Sequence, residues 1–296
     1  MNTPDDIPKL RMAPRETSDD LALRYEREDR RVRDQRESEL QHSLGDFRVG
    51  SVPYLNAVPL TRGLEEQIVF IPPSQLAEKL QADQLDAALV SVTEVLFHDR
   101  YDVLDGIAVA SLGEVRSVLL AHSVPLEEMR EVHCDPASLT SVNLLKVLLA
   151  ERGLRPEFKA LPNYDCLERV ENFLLIGDPA IEFSLRVPQT HQLWDLGAAW
   201  YEMTQLPFVY AVWALRRGVR NEALRRQLRE AKAFGMDTLD HIISSRKEFS
   251  LEFRKDYLGW HIHYYLGADE KRGLAKFVEL LRRHGTGPIF EPHFVG

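Results

Sequence analysis

Cysteine is almost absent from this chain: Cys134 and Cys166 are the only two, well separated. Neither sits in a Cys-x-x-Cys pair or a cysteine–histidine spacing suited to zinc, so a disulfide-stapled or zinc-organised fold has no support. A reducing, cytoplasmic compartment is the simpler expectation. No apolar run approaches the roughly 18 residues that a membrane helix needs, and no membrane partner is expected. Positive charge is also short, with a formal net charge of −9. Nucleic acid calls for a basic face, so it is not expected as a partner. A small anionic ligand is still permitted, because local arginines and helix N-termini decide that. The glycine patterns of dinucleotide and phosphate loops are missing, as is the Gly-x-Ser-x-Gly of serine hydrolases. His261 and His263 stand close in sequence, but residues two apart on a helix point away from each other. No metal is expected there.

What is present divides near residue 46. The first 46 residues are dense in both charge signs and poor in aromatics and branched apolar residues. They have no apolar core of the kind an export signal carries. Leu21 to Leu40 has Glu/Arg pairs four apart that favour a helix, yet too little apolar surface to fold alone. The expectation is a disordered or weakly helical charged tail. From Phe47 short apolar runs alternate with helical patterns, which reads as an α/β protein. Strands are expected at 47–52, 67–71, 86–90, 107–112, 117–122, 131–134, 157–160, 173–176, 193–196 and 208–215. Helices are expected at 74–82, with Ser74 as N-cap, and at 140–152. From Asn221 onward the pattern is almost wholly helical.

Several strand ends carry polar residues that suit a ligand-binding edge. In VGSVPYLNAVPL a strand breaks at Pro53, exposes Tyr54 and Asn56, and restarts as a helix at Pro59. Asn56 is either the cap of that helix or a ligand contact. Ser91 ends a buried run, and with Glu94 it also matches a capping box. Arg116 and Ser117 open an apolar strand. An arginine there needs an anionic partner, either a structural carboxylate such as Glu114 or Asp105, or a ligand carboxylate held bidentately. Ser138, Thr140 and Ser141 cluster at a helix start, where free N–H groups and hydroxyls make an anion site. His133 reads as a strand residue rather than a base, though its place beside this cluster keeps it in play. Gly177 would let a ligand approach the backbone, with Asp178 read as an N-cap and Pro179 in the first turn.

Six stretches in one order carry a resemblance: SVPYLNAVPL, LDAALVSVTEVL, EVRSVLLAHS, DPASLTSVNLL, LLIGDPAIE and DLGAAWYEMTQLPFVYAVWA. Over about residues 47 to 215 the chain resembles the chorismate dehydratases of the futalosine route to menaquinone, and the helical C-terminal part fits less specifically. Glu114 stands where that family usually has proline, Leu139 where arginine is common, Pro179 where alanine is usual and Gln205 where glycine is usual. Leu139 matters most, since it removes a positive contact near the anion site.

The resemblance implies a type II periplasmic-binding-protein-like fold: two α/β lobes joined by two crossing strands, with a central cleft. The first lobe would take 47–115 and 213–296, the second 116–212, with Ser117 to His122 and Phe208 to Ala214 crossing. It implies a hydro-lyase that converts chorismate, a dianion, to 3-[(1-carboxyvinyl)oxy]benzoate without a cofactor. Asn56 and Ser117 would be catalytic. Tyr54, Ser91, Arg116, Ser138, Thr140, Ser141 and Gly177 would hold the substrate. No side chain in these stretches stands out as a general base, so a carboxylate of the substrate itself is expected to take the proton. The alternatives are a sister enzyme making 1,4-dihydroxy-6-naphthoate, or a non-catalytic receptor for a small carboxylate.

Overall fold

A computed structural model describes residues 18–135, 139–165, 167–186, 190–285 and 287–296. Helix α1 (Ser18–Leu40) precedes the first sheet. That sheet begins with β1 (Val49–Ser51), followed by a 3-10 turn at Leu55–Ala57 and α2 (Val58–Thr61). Strand β2 (Ile68–Phe70), α3 (Pro73–Gln81), β3 (Ala87–Ser91), α4 (Val92–Phe97) and β4 (Tyr101–Ser111) continue it. The second sheet takes β5 (Val118–His122), β6 (Glu131–Cys134), β7 (Glu157–Ala160), β8 (Asn172–Ile176) and β9 (Gln192–Asp195). Helix α5 (Leu139–Glu151) lies between β6 and β7, and α6 (Gly177–Leu185) follows β8. Helix α7 (Leu196–Thr204) leads back to β10 (Phe208–Arg216) in the first sheet. The chain closes with α8 (Glu222–Asp237), α9 (Leu239–Ser245), α10 (Leu251–Asp256), a π-helical turn at Tyr257–His261, α11 (Ala268–His284) and β11 (His293–Val295).

The two sheets follow one plan. The first has the order β11-β4-β10-β3-β1-β2, the second β7-β6-β8-β5-β9. In each, three strands run parallel with the earliest in the middle: β1 between β2 and β3, and β6 between β7 and β8. In each, the strand that arrives directly from the other lobe inserts antiparallel. Strand β10 enters between β3 and β4, and β5 between β8 and β9. The repeated order is that of a two-lobed type II binding-protein fold. It also sets the carboxyl ends of β1 and β3 on one side of a crevice and those of β6 and β8 on the other, where open α/β sheets bind ligands. Strand β3, AALVS, is buried along nearly its whole length, as a central strand covered on both faces requires.

The two strands expected to cross each lie inside one sheet. Phe208 already pairs with Ser111 of β4, so 208–212 belongs with the first sheet and not with the second lobe. The passage between lobes is made by residues 112–117 on the way out, and by α7 with residues 205–207 on the way back. The buried Asp195 carboxylate holds both passages. It caps α7 through the N–H groups of Gly197 at 2.9 Å and Ala198 at 3.0 Å. It also accepts from Val115 N–H at 3.1 Å and Arg116 N–H at 2.8 Å. Burial pushes its pKa up, and these four donors oppose the rise.

Over its own residues, helix α1 is a docked helix where a disordered or weakly helical tail was expected. Its last turns dock on the first lobe, where Leu40 and Leu44 are buried and Gln67 bridges their backbone. Arg36 reaches Glu230 and Asp237 of α8, both at 2.7 Å. The helix borrows a core it could not make alone. Helix α3 starts at Pro73 without a side-chain cap, so Ser74 is not its N-cap. Gln205, where the resembled family usually has glycine, ends α7 in the left-handed region at φ 55°. That position favours glycine by about 1 kcal/mol.

Candidate functional site

The interlobe crevice closes into a cavity of about 610 Å³, counting its open mouth. Seven of the nine residues singled out in the sequence line it: Tyr54, Asn56, Ser91, Ser117, Thr140, Ser141 and Gly177. The strand ends deliver them from both lobes, as the sheet order dictates. Apolar walls complete it, including Val52, Leu89, Val109, Val118, Ile176 and Ala211. Local pattern does not single out Tyr210, which also lines the cavity and whose hydroxyl pairs with Ser111 Oγ at 3.1 Å. Its place inside an apolar strand made it look like ordinary core.

Asn56 lies in the 3-10 turn between β1 and α2. Neither that turn nor α2 receives a side-chain cap, so the capping reading fails and the amide is left to the cavity. Ser91 likewise caps nothing in α4. Its supposed partner Glu94 is buried and engaged elsewhere, accepting from Gln81 Nε2 at 2.9 Å and from the Tyr101 hydroxyl at 3.2 Å. No capping box forms. Ser117 is buried, and its hydroxyl donates to Val115 O at 3.3 Å. Its carbonyl accepts from Gly177 N–H at 2.8 Å, fixing the two residues together.

Gly177 has a φ of 61°, and a Cβ there would stand 2.9 Å from the Tyr54 ring. The side chain of Tyr54, from the first lobe, lies flat over this second-lobe backbone. Two further contacts bind the lobes at the cavity. Leu55 N–H donates to Asp178 Oδ1 at 3.2 Å, so Asp178 is no N-cap but a contact across the crevice. Thr140 Oγ1 accepts from Thr93 N–H at 3.2 Å and lies 3.0 Å from Thr93 Oγ1. Burial pushes the Asp178 carboxyl up to about 6, with Leu55 N–H opposing. Tyr54 is also held above its usual range, first by burial and then by the nearby Asp135 and Asp178.

Two of the nine do not join. Ser138 lies outside the described residues, as does Cys166. Arg116 turns away: its φ of 63° sends the side chain to the far face, where it pairs with Asp256 at 3.2 Å and covers the Phe253 ring. The backbone cause is visible, because Val115 and Arg116 must both aim their N–H groups at Asp195. Its carboxylate partner is thus Asp256, neither Glu114 nor Asp105. His261 joins this cluster through Asp256 and the Glu114 carbonyl. His133 is on β6 and does not line the cavity. Leu139 opens α5 and is partly exposed, outside the lining. Among the described residues no group of three His, Cys, Asp or Glu is placed to hold a metal. Within the same residues, no helix is long and apolar enough to cross a membrane.

Among the described residues, no lysine, arginine, histidine or carboxylate lines the cavity. The site works with neutral dipoles: one amide, several hydroxyls and the N–H groups where α5 begins. Such an arrangement can hold an anion without a counter-charge. Among the described residues its titratable members are Tyr54 and Tyr210, both pushed up by burial and so protonated near neutrality.

Repeated sheet order, two passages and an interlobe cavity define a periplasmic-binding-protein-like molecule. Solved structures agree on this fold. A protein from Archaeoglobus fulgidus superposes with a TM-score of 0.64 at 19% identity, covering 80% of this chain and 96% of that one. The periplasmic aliphatic sulphonate binding protein of Escherichia coli gives 0.53 at 14% identity, covering 84% and 93%. Within that fold the chain belongs to the menaquinone biosynthesis family, whose sequence model matches residues 47–283. A chorismate dehydratase from Thermus thermophilus is 32% identical over 271 residues, covering 84% of this chain and 98% of that protein.

Proposed function

We propose that this chain is a carbon–oxygen lyase that dehydrates chorismate to 3-[(1-carboxyvinyl)oxy]benzoate. The observation that carries the reading is the meeting of seven motif residues in one cavity built of neutral dipoles and apolar walls. The walls suit a six-membered carbon ring, and the dipoles suit its two carboxylates. With Arg116 turned away, the start of α5 and the loop carrying Asn56 are the two places for those carboxylates. The relative from Thermus thermophilus bears the name of this activity.

The reaction breaks the C–H bond at ring C3, moves that electron pair into a C3–C4 double bond, and releases hydroxide from C4. Aromatisation drives it, so the protein's task is orientation and the exclusion of water. Among the described residues, no lining side chain is a base near neutral pH. The C3 proton therefore goes to a carboxylate of the substrate, and from there to the departing hydroxide, giving water. Asn56 orients the leaving hydroxyl by hydrogen bonds, and Ser117 supports it from the other lobe. Closure of Tyr54 over Gly177 keeps solvent out. Cytoplasmic action is part of the same proposal, since a biosynthetic step works where its substrate is made.

Mass spectrometry after incubation with chorismate tests this. The expected product is aromatic and lighter by one water. Chorismate bound but recovered unchanged would favour a receptor and defeat the proposal.

A further inference from the structure

Behind the cavity stands a polar group that the reaction as drawn does not use. Tyr257 begins the π-helical turn Tyr257–His261 and is wholly buried. Its ring stacks on Phe253, with centroids 5.4 Å apart and planes tilted by 23°. Its carbonyl accepts from Ile262 N–H at 3.0 Å, five residues on, which is the bond that makes the turn π-helical. The turn is anchored to the outgoing passage through His261 and the Glu114 carbonyl at 2.9 Å. Single π turns inside helices are frequent at functional sites, because they re-aim one side chain.

The Tyr257 hydroxyl has no hydrogen-bond partner. It lies beside the side chains of Ser117 and Asn56, close to both and in hydrogen-bonding geometry with neither. Leaving a buried hydroxyl unpaired is costly, and such a group in a native fold calls for an explanation. Burial holds the phenol in its protonated form, with Ser117 and Asn56 opposing. It is therefore a donor at neutral pH. The Ser117 hydroxyl, for its part, makes a long bond to Val115 O at 3.3 Å.

We infer that Tyr257 is a positioning residue for this site: its phenol donates to the Asn56 side-chain oxygen and accepts from the Ser117 hydroxyl, turning the Asn56 amino group toward the substrate. An amide can present either end, and a protonated phenol behind it selects the end that donates. Small rotations of Asn56 and Ser117 as substrate enters complete both bonds. The inference rests on the proposed dehydration for its kinetic consequence, and on the geometry alone for the contact.

The test compares Tyr257→Phe with the wild type. Phenylalanine keeps the stack on Phe253 and deletes a hydroxyl that has no partner, so thermal stability is not lowered. The expected kinetic effect is a fall in kcat of about ten-fold, equivalent to about 1.4 kcal/mol, with KM little changed. Tyr264→Phe is the control, since Tyr264 also buries an unpaired hydroxyl but has neither Asn56 nor Ser117 acting on it. It leaves kcat unchanged. Wild-type kcat in Tyr257→Phe, or an equal loss in both variants, overturns the inference while leaving the dehydration intact. Should the wild type fail to convert chorismate, the contact is read by NMR instead. The Tyr257 hydroxyl proton shifts when Asn56 is truncated by Asn56→Ala, and an unmoved resonance overturns the inference.

Discussion

Asp178→Asn isolates a cost that the crevice imposes on the fold. Burial is the main cause of the raised pKa of about 6, against an ordinary value of 3.8. Glu248 and Glu182 add to it, while Leu55 N–H and Arg246 oppose. A carboxyl with a raised folded-state pKa binds more protons folded than unfolded between about pH 4 and pH 6. Its favourable contribution is complete below the unfolded pKa and is lost as pH rises through about 6. Two pH units correspond to about 3 kcal/mol, which partial solvent screening reduces to about 1–2 kcal/mol. Asparagine keeps an oxygen for Leu55 N–H and removes the charge. Thermal unfolding at pH 7.5 should therefore show the variant more stable by about 2–8 °C, with the advantage vanishing near pH 4. A variant that is less stable at pH 7.5, or one whose stability keeps the wild-type slope between pH 4 and 6.5, would refute the reasoning.

Two other substitutions probe the same crevice. Gly177→Ala forces a left-handed φ on an L-residue, at about 1–2 kcal/mol, and drives a methyl into the Tyr54 ring. Steady-state kinetics should show kcat/KM down by about ten-fold, and an unchanged value would remove the Tyr54–Gly177 closure from the account. Asp195→Ala strips an acceptor from four part-buried N–H groups that tie the two passages. Denaturant unfolding should lose about 3 kcal/mol or more, whereas a loss below about 1 kcal/mol would mean that the passages are held by other contacts.

Much of the architecture is legible in the sequence because parallel, doubly covered strands must be apolar nearly throughout. Glu131–Cys134 and Glu157–Ala160 fall where the pattern puts them. Strand β4 starts at Tyr101, well before the expected 107, because Asp102, Asp105 and Gly106 interrupt its apolar run. Tertiary pairing with β10 and β11 overrides that local signal. Short β11 has no pattern of its own and exists only as a partner of β4.

The site shows the same split. Strand-end residues such as Asn56 and Ser91 can be read, since a polar residue ending a buried strand has few places to go. Arg116 misleads, because its direction is set by a positive φ imposed by Asp195, about eighty residues away in the chain and invisible to local pattern. Tyr210 and Tyr257 are hidden for a different reason: aromatic residues in apolar runs look like core until the cavity beside them is known. Asp178 and Glu94 look like helix caps by spacing, yet both are drawn into long-range contacts instead.

The proposed dehydration requires that the neutral cavity between the lobes bind the dianion and that Asn56 orient it there. A crystal structure of the protein with the benzoate product bound tests this most directly. The ring is expected between Tyr54 and the Val109–Ala211 wall, one carboxylate at the start of α5, and the Asn56 amino group within hydrogen-bonding distance of the ligand. A ligand seated beside Arg116 on the outer face, or one in the cavity that Asn56 does not touch, would contradict it.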